Sequence, residues 1–484
     1  MQPHTTESRR QDHALLSWSR VQLFGAGLGL CGFLITFLLP APLGWPLAAW
    51  QVAGLAWLMG CLWISEALPL AATALLPIVL GPLLGLGELR AITNAYAHPL
   101  IFLFMGGFVL SLAMERWRLH ERVALRLLLL VGSSPKRELA GFMLASGLLS
   151  MWVSNTATVI MMLPTVLSVI RMRQGKAAAG LGVALLLGVA YAANVGGVAT
   201  LIGTAPNALL AAYLSEQHGV NIGFAQWLLI GLPVSVVLWL FIWWWLGRHL
   251  GKDEHGADSR ALFEQRLQAL GPMSTMEKRV AVVFLLTACA WITRPLLVDG
   301  LGWNISDAGI AMTCAVLLHL LPAGDGQGER LMCWKVTENL PWGVLLLFGG
   351  GLALASMIQS TGLAQGLADL LTPLGAWPSW VLIVAVALLV VFLTEVTSNT
   401  ATTAGFLPLL GATAVAMGLP AEVLAIPAAI AASCAFMMPV ATPPNAIVFA
   451  SGELHIREMV TAGLVINLVA TAVISCMAVF FLLP

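Results

Sequence analysis

The tripeptide Ser-Asn-Thr occurs twice, at 154–156 and 398–400, each time inside a long apolar stretch, WVSNTATVIMMLP and EVTSNTATTAGFLP. Short hydroxyl and amide side chains compete for backbone hydrogen bonds, so they favour caps and breaks over helix interiors. A second polar break follows each copy, GGVATLIGTAPNALL from Gly196 and MMPVATPPNAIVF from Met437. A broken helix exposes carbonyls and N–H groups that otherwise pair within it. Carbonyls with Ser, Thr and Asn oxygens make a neutral cage for a hard cation such as sodium. Helix N-termini at the same break favour an anion. No Lys, Arg or His lies within nine residues of either SNT or of TPPN (442–445). An anion held there has no fixed counter-charge. Two sodium ions at two equivalent sites would supply one, and so couple anion to cation. One SNT alone suits close helix packing equally well; two copies, each with a matching Pro-Asn break, point to a site.

The motifs belong to an internal repeat. FLFMGGFVLSLA (102–113) matches LLFGGGLALASM (346–357); Phe348 follows Phe104, and Ser398 follows Ser154, by 244 residues, while Asn445 follows Asn207 by 238. Three motifs in one order at nearly constant offset imply that one device was built twice. Hydrophobic residues make up 59% of the 484-residue chain and charged residues 10%. Runs of about 20 apolar residues, the length that spans a bilayer, recur throughout. The expected fold is therefore all-α and polytopic, with the lipid bilayer as its partner. Net charge is zero, so nothing points to nucleic acid.

The elements that must position the motifs follow from polarity. Residues 1–21 read as a cytoplasmic tail without a cleavage site. A first repeat covers 22–246, a polar linker 247–279 and a second repeat 280–484. Around each SNT the apolar limbs are too short to cross, and Lys136-Arg137 and Arg171 to Arg173 bracket the first pair. Each limb pair therefore reads as a re-entrant hairpin, at about 138–171 and 378–417, tolerated where it lines protein or a watery cavity. About eleven spans complete the count. The segments 115–132 and 361–375 read as amphipathic helices along the interface. With the N-terminus inside, 21 of the 23 Lys and Arg fall on the cytoplasmic side, Arg90 and Arg294 being the exceptions. The C-terminus is then outside, and the two hairpins enter from opposite faces. Inverted repeats with discontinuous helices are the plan of secondary transporters.

Several residues carry a plainer reading. Glu395 precedes the second SNT only, so an anchoring role, accepting backbone or hydroxyl hydrogen bonds, is favoured over proton carriage. Glu66, His319 and His455 read as interfacial. The seven cysteines, without a CxxC, read as buried small hydrophobes. An intramembrane enzyme would need a nucleophile–base pair or a metal motif; the chain has no HExxH and no Ser with a His at matching depth.

These motifs resemble the divalent anion/sodium symporter family, which includes the sodium-coupled dicarboxylate and citrate carriers. ASCAFMMPVATPPNAIV (432–448) is similar to the family signature and TEVTSNTATTAGFLP (394–408) to its second hairpin tip. The resemblance covers nearly the whole chain. It implies eleven spans, two hairpins and a homodimer, with a scaffold and a mobile domain that moves like an elevator. By the same resemblance the first sodium site uses Ser150, Ser154, Asn155 and Gly203, and the second Thr394, Thr397, Asn399 and Ala441. Substrate carboxylates meet Asn155 and Thr156 at one tip and Asn399 and Thr400 at the other, beside Thr442 and Pro443. One departure is Ala205, where the second break has a proline; it is expected to loosen the first site. The implied activity is sodium-coupled import of C4-dicarboxylates such as succinate, malate or fumarate. A sodium-independent di- or tricarboxylate exchanger, a sulfate carrier and a channel stay open at this point.

Overall fold

Proline and capping side chains cut the apolar sequence into helices. The computed structural model describes residues 18–483 apart from 133, 173–175, 252–255, 303, 325, 327 and 372–376. The first seventeen residues of the expected tail, and parts of the linker and of 361–375, lie outside the described residues.

Helix α1 (Arg20–Leu38) starts at Ser19, whose side chain forms a capping box with Gln22. It packs along α2 (Leu47–Ser65). The apolar stretch 67–86 holds two helices, α3 (Leu70–Thr73) and α4 (Leu76–Leu83). The cause is Pro77, which has no N–H to return to the carbonyl of Thr73. After α5 (Leu89–Asn94), α6 (Pro99–Arg116) begins with a His98 cap and Pro99. Arg118, at φ 56°, turns the chain into α7 (Leu119–Val131).

The first limb pair is α8 (Pro135–Ser150) and α9 (Asn155–Met172), broken at the SNT. Next come α10 (Lys176–Ala199), α11 (Ala205–His218) and α12 (Phe224–Gly247). The linker holds α13 (Gly256–Ala269). It ends earlier than the sequence suggests, because Ser274 and Glu277 form a capping box that starts α14 (Thr275–Leu301). Helices α15 (Asp307–Leu320), α16 (Trp334–Thr337), α17 (Trp342–Ser360) and α18 (Leu363–Leu371) follow. The second limb pair is α19 (Ser379–Leu393) and α20 (Asn399–Ala416), and α21 (Glu422–Ala432), α22 (Pro443–Phe449) and α23 (Ile456–Phe481) close the chain.

Among the described residues, nine helices are long and apolar enough to cross a bilayer, and α15, α19 and α21 are shorter apolar helices. The chain is an all-helical, multi-pass membrane protein.

The two halves interlock. Helix α9 packs on α22 and α20 packs on α11; α8 lies against α10 and α12 as α19 lies against α21 and α23. Phe104 and its repeat mate Phe348 meet edge to face, centroids 5.2 Å apart. Helices α6 and α15 approach closely at Gly106, where a Cβ would sit 2.5 Å from the Ala311 carbonyl oxygen. Asp307 accepts a hydrogen bond from the Phe224 N–H at 2.9 Å and pairs with Arg294 at 2.9 Å. Helix α7, expected along the interface, turns one of its charged residues inward. Arg122 is buried and pairs with Glu277 at 2.7 Å, while its other N–H groups donate to the Gly271 and Leu270 carbonyls. From the linker, Arg266 donates to the Thr165 and Ser168 hydroxyls and the Pro164 carbonyl on α9. Of the cysteines only Cys314 and Cys434 are buried; Cys31, Cys289, Cys333 and Cys476 are exposed on outward-facing positions, which corrects the expectation for them.

Candidate functional site

One cavity of about 770 Å³ lies at the centre, and it is lined by both Ser-Asn-Thr breaks and both Pro-Asn breaks. The four helices that follow the breaks begin on it: α9 at Asn155, α20 at Asn399, α11 at Ala205 and α22 at Pro443. Their unpaired N–H groups and dipoles give the wall a partial positive character. Side chains add little formal charge. Among the described residues Glu66 is the only charged one in the lining, and none of the lining residues is Lys, Arg or His. Glu66, read from sequence as interfacial, closes α2 in the left-handed region at φ 49°.

Every substrate candidate from the sequence lines this cavity: Asn155, Thr156, Asn399, Thr400, Thr442 and Pro443. So do Ser154, Gly203, Thr397 and Ala441. Ser150 and Thr394 do not; both are fully buried one layer behind. There they do the same thing. The Ser150 hydroxyl donates to Asn155 Oδ1, and the Thr394 hydroxyl donates to Asn399 Oδ1 at 2.6 Å. Each amide at a tip is thus oriented from below by a hydroxyl five residues earlier.

The Pro-Asn breaks repeat a second device. Asn207 Nδ2 donates to the carbonyls of Gly197 (3.1 Å) and Thr200 (2.8 Å). Asn445 Nδ2 donates to those of Ala435 and Met438, both at 3.1 Å. Each Asn ties together the unwound backbone before its helix, which fixes where the neighbouring carbonyls point. At the first break it is Asn207, and not residue 205, that holds the carbonyls. Gly197 lets the Asn155 amide close in; a Cβ there would sit 2.8 Å from Asn155 Oδ1 and 3.1 Å from the Gly203 carbonyl oxygen.

Three residues at the site were not singled out from sequence. Asn194 Nδ2 donates to the Thr442 hydroxyl at 3.1 Å and so bridges the two breaks. The Tyr191 hydroxyl donates to the Phe436 carbonyl at 2.6 Å. The signal for Asn194 was its place inside the broken span, a lone amide between Ala193 and Val195. The third is Asn467, which serves Glu395. As the sequence favours, Glu395 is an anchor: its carboxylate accepts from the N–H groups of Phe436 (2.7 Å), Met437 (2.9 Å) and Met438 (2.8 Å), and from Asn467 Nδ2 (2.7 Å). Nothing in that arrangement leaves an oxygen facing the cavity.

Neutral oxygens in pairs and aimed N-termini, with no cationic side chain among the described lining residues, suit a hard cation and an anion bound together. Comparison with known proteins agrees. The sodium:sulfate symporter transmembrane region model matches residues 23–483. A sodium-dependent dicarboxylate transporter, SdcS, of Staphylococcus saprophyticus is 41% identical over 97% of this chain and 92% of its own. Its counterpart in Staphylococcus aureus is 40% identical over 96% and 92%. Among solved structures the fold is similar to the YdaH transporter of Alcanivorax borkumensis, with a TM-score of 0.55, 15% identity and coverage of 96% and 98%. It is similar also to MtrF of Neisseria gonorrhoeae, with a TM-score of 0.60, 12% identity and 96% of each chain covered. A family model over nearly the whole length, with relatives this close, makes the chain a transporter of the divalent anion/sodium symporter, or sodium:sulfate symporter, family.

Proposed function

We propose that this protein imports C4-dicarboxylates such as succinate, malate and fumarate by symport with sodium. The observation that carries the reading is the duplicated tip: a Ser150–Asn155 and a Thr394–Asn399 lock facing one cavity that has no cationic side chain among the described residues of its lining. The relatives named as sodium-dependent dicarboxylate transporters support the cargo. One sodium ion takes oxygens from Ser150, Ser154, Asn155 and Gly203, the other from Thr394, Thr397, Asn399 and Ala441. Unwound backbone carbonyls are the usual sodium ligands at such breaks. The dianion lies between the tips, one carboxylate toward Asn155 and Thr156, the other toward Asn399 and Thr400, with Thr442 and Pro443 alongside. The two sodium charges replace the missing Lys or Arg, so neither ion nor anion binds well alone.

In the same proposal the limb pairs α8–α9 and α19–α20 are re-entrant hairpins of two inverted repeats within about eleven spans, the repeats being 22–246 and 280–484. The N-terminus is cytoplasmic and the C-terminus outside, in the cell (inner or plasma) membrane. The site moves by an elevator-like displacement within a homodimer.

The deciding experiment is labelled succinate uptake into proteoliposomes with an inward sodium gradient, repeated with potassium in its place. Saturable uptake that needs sodium and rises cooperatively with it is expected. Sodium-independent uptake that requires a dicarboxylate inside would make the protein an exchanger and remove both cation sites.

A further inference from the structure

The two tips are held differently at equivalent positions. Glu395 follows Met151, and Val396 follows Trp152, by the 244 residues of the repeat. Glu395 ties the second tip to the backbone of its own break, and Val396 beside it is 66% exposed. At the first tip Met151 has no charge to offer; its carbonyl accepts from the Thr200 hydroxyl at 2.6 Å. Trp152 reaches further. It lines the cavity and lies nearly parallel to Phe224, which opens α12, and to Trp291 on α14, at 27° and 12° with centroids 5.7 and 6.4 Å away. Phe284, also on α14, meets it edge-on at 4.9 Å. Phe224 and Trp291 stack on each other at 4.8 Å, and both are fully buried. One residue fixes those two rings. Asp307, at the start of α15, accepts from the Phe224 N–H through its carboxylate and from the Trp291 indole N–H through its backbone carbonyl at 3.0 Å. Arg294 closes on the same carboxylate at 2.9 Å. The fit is tight: a Cβ at Gly223, the cap of α12, would sit 2.9 Å from Asp307 Oδ2.

We propose that Trp152 and Asp307 are positioning residues for the first sodium site. Asp307 aligns Phe224 and Trp291, these two rings seat Trp152, and Trp152 fixes the turn that presents Ser154 and Asn155. The inference deepens the sodium symport proposed above and rests on it. Aromatic pairs hold preferred geometries, and a tip seated before the ion arrives has less freedom to lose on binding. The device serves one tip only, because a valine at 396 has no ring to seat. A mere brace between α12, α14 and α15 would leave sodium affinity untouched.

Sodium titrations of the purified full-length protein without substrate, read as the rise in melting temperature, test it, followed by sodium titrations of succinate uptake in proteoliposomes. Leaving the substrate out separates positioning of the ion site from contact with the anion. Trp152→Ala and Asp307→Ala should each raise half-saturating sodium about three- to ten-fold, the worth of one aromatic pair, with uptake at saturating sodium kept. Trp152→Phe, which keeps a ring on the seat, should stay near the wild type. Gly223→Ala, which displaces the Asp307 carboxylate without removing its charge, should act like Asp307→Ala and replaces it if that variant does not fold. Combined with Asn155→Ala, Trp152→Ala should add little; combined with Asn399→Ala, the two factors should multiply. A wild type indifferent to sodium removes the symport reading and this one with it. A wild type that responds to sodium, with Trp152→Ala or both Asp307→Ala and Gly223→Ala keeping its half-saturation, overturns this proposal alone. So does a Trp152→Phe as impaired as Trp152→Ala.

Discussion

The Asn155 and Asn399 amides are where chemistry and architecture meet. Each is held by a buried hydroxyl on one side and opens onto the cavity on the other. Asn155→Ala and Asn399→Ala each delete donor and acceptor at one tip. Sodium and succinate uptake constants should rise about ten- to a hundred-fold, the worth of one or two hydrogen bonds to charged groups, with the fold retained by melting analysis. Gly197→Ala is a separate test. Its new methyl would press on the Asn155 amide and the Gly203 carbonyl, so uptake should collapse though residue 197 offers no side chain to either ion. Glu395→Gln should act on stability instead. One amide N–H₂ would then face backbone N–H donors, at a cost of about 3 kcal/mol, read as a lowered melting temperature. The SNT and Pro-Asn breaks were legible in the sequence because polar residues stand out in apolar runs. The partners of Glu395 were not, because Phe436 to Met438 contribute backbone N–H groups and Asn467 lies 72 residues away.

Among the elements, the join between α7, the linker and α14 depends on one ion pair. Arg122 and Glu277 are both nearly fully buried, with side chains 4% and 6% exposed. Arg122→Met leaves Glu277 charged and unpaired and should cost about 3–5 kcal/mol. The double variant Arg122→Met with Glu277→Met should recover most of that in the same melting assay. On the same helix, burial holds the His120 imidazole below its ordinary 6.5, despite the bond it donates to the Met114 carbonyl. The unfolded chain therefore takes up this proton first. The stability His120 contributes is complete above pH 6.5 and is lost as pH falls through the folded value. Melting temperature should drop between pH 7 and 5, and His120→Gln, which can still donate to Met114, should flatten that part of the profile. The amphipathic pattern of 115–132 announced a surface helix. It could not reveal that Arg122 faces inward, because the partner carboxylate arrives 155 residues later.

The scale of the whole molecule is set by the interlocking of the repeats. Helix α9 of one half packs on α22 of the other, and α20 on α11; Asn194 and Tyr191 tie the two breaks across that seam. Neither half contains a complete site. Residues 1–251 and 256–484 expressed separately should show no sodium-dependent uptake, and co-expressed they should restore a measurable fraction of it. The repeat was legible as constant offsets between motifs. Its interdigitation was not, because offsets record order along the chain and not which helix fills the gap beside another. Only three-dimensional packing does that.

That seam also sets a timetable for biosynthesis. The helices that complete the first SNT break, α22 above all, lie near the end of the chain. At about 5–20 residues per second, the ribosome needs roughly a quarter of a minute to a minute to make the rest of the chain after the first break. During that interval the face of α9 that packs on α22 is without its partner. The chain therefore inserts early and matures late, and a translational pause in the second half would prolong the stage at which quality-control proteases can recognise it.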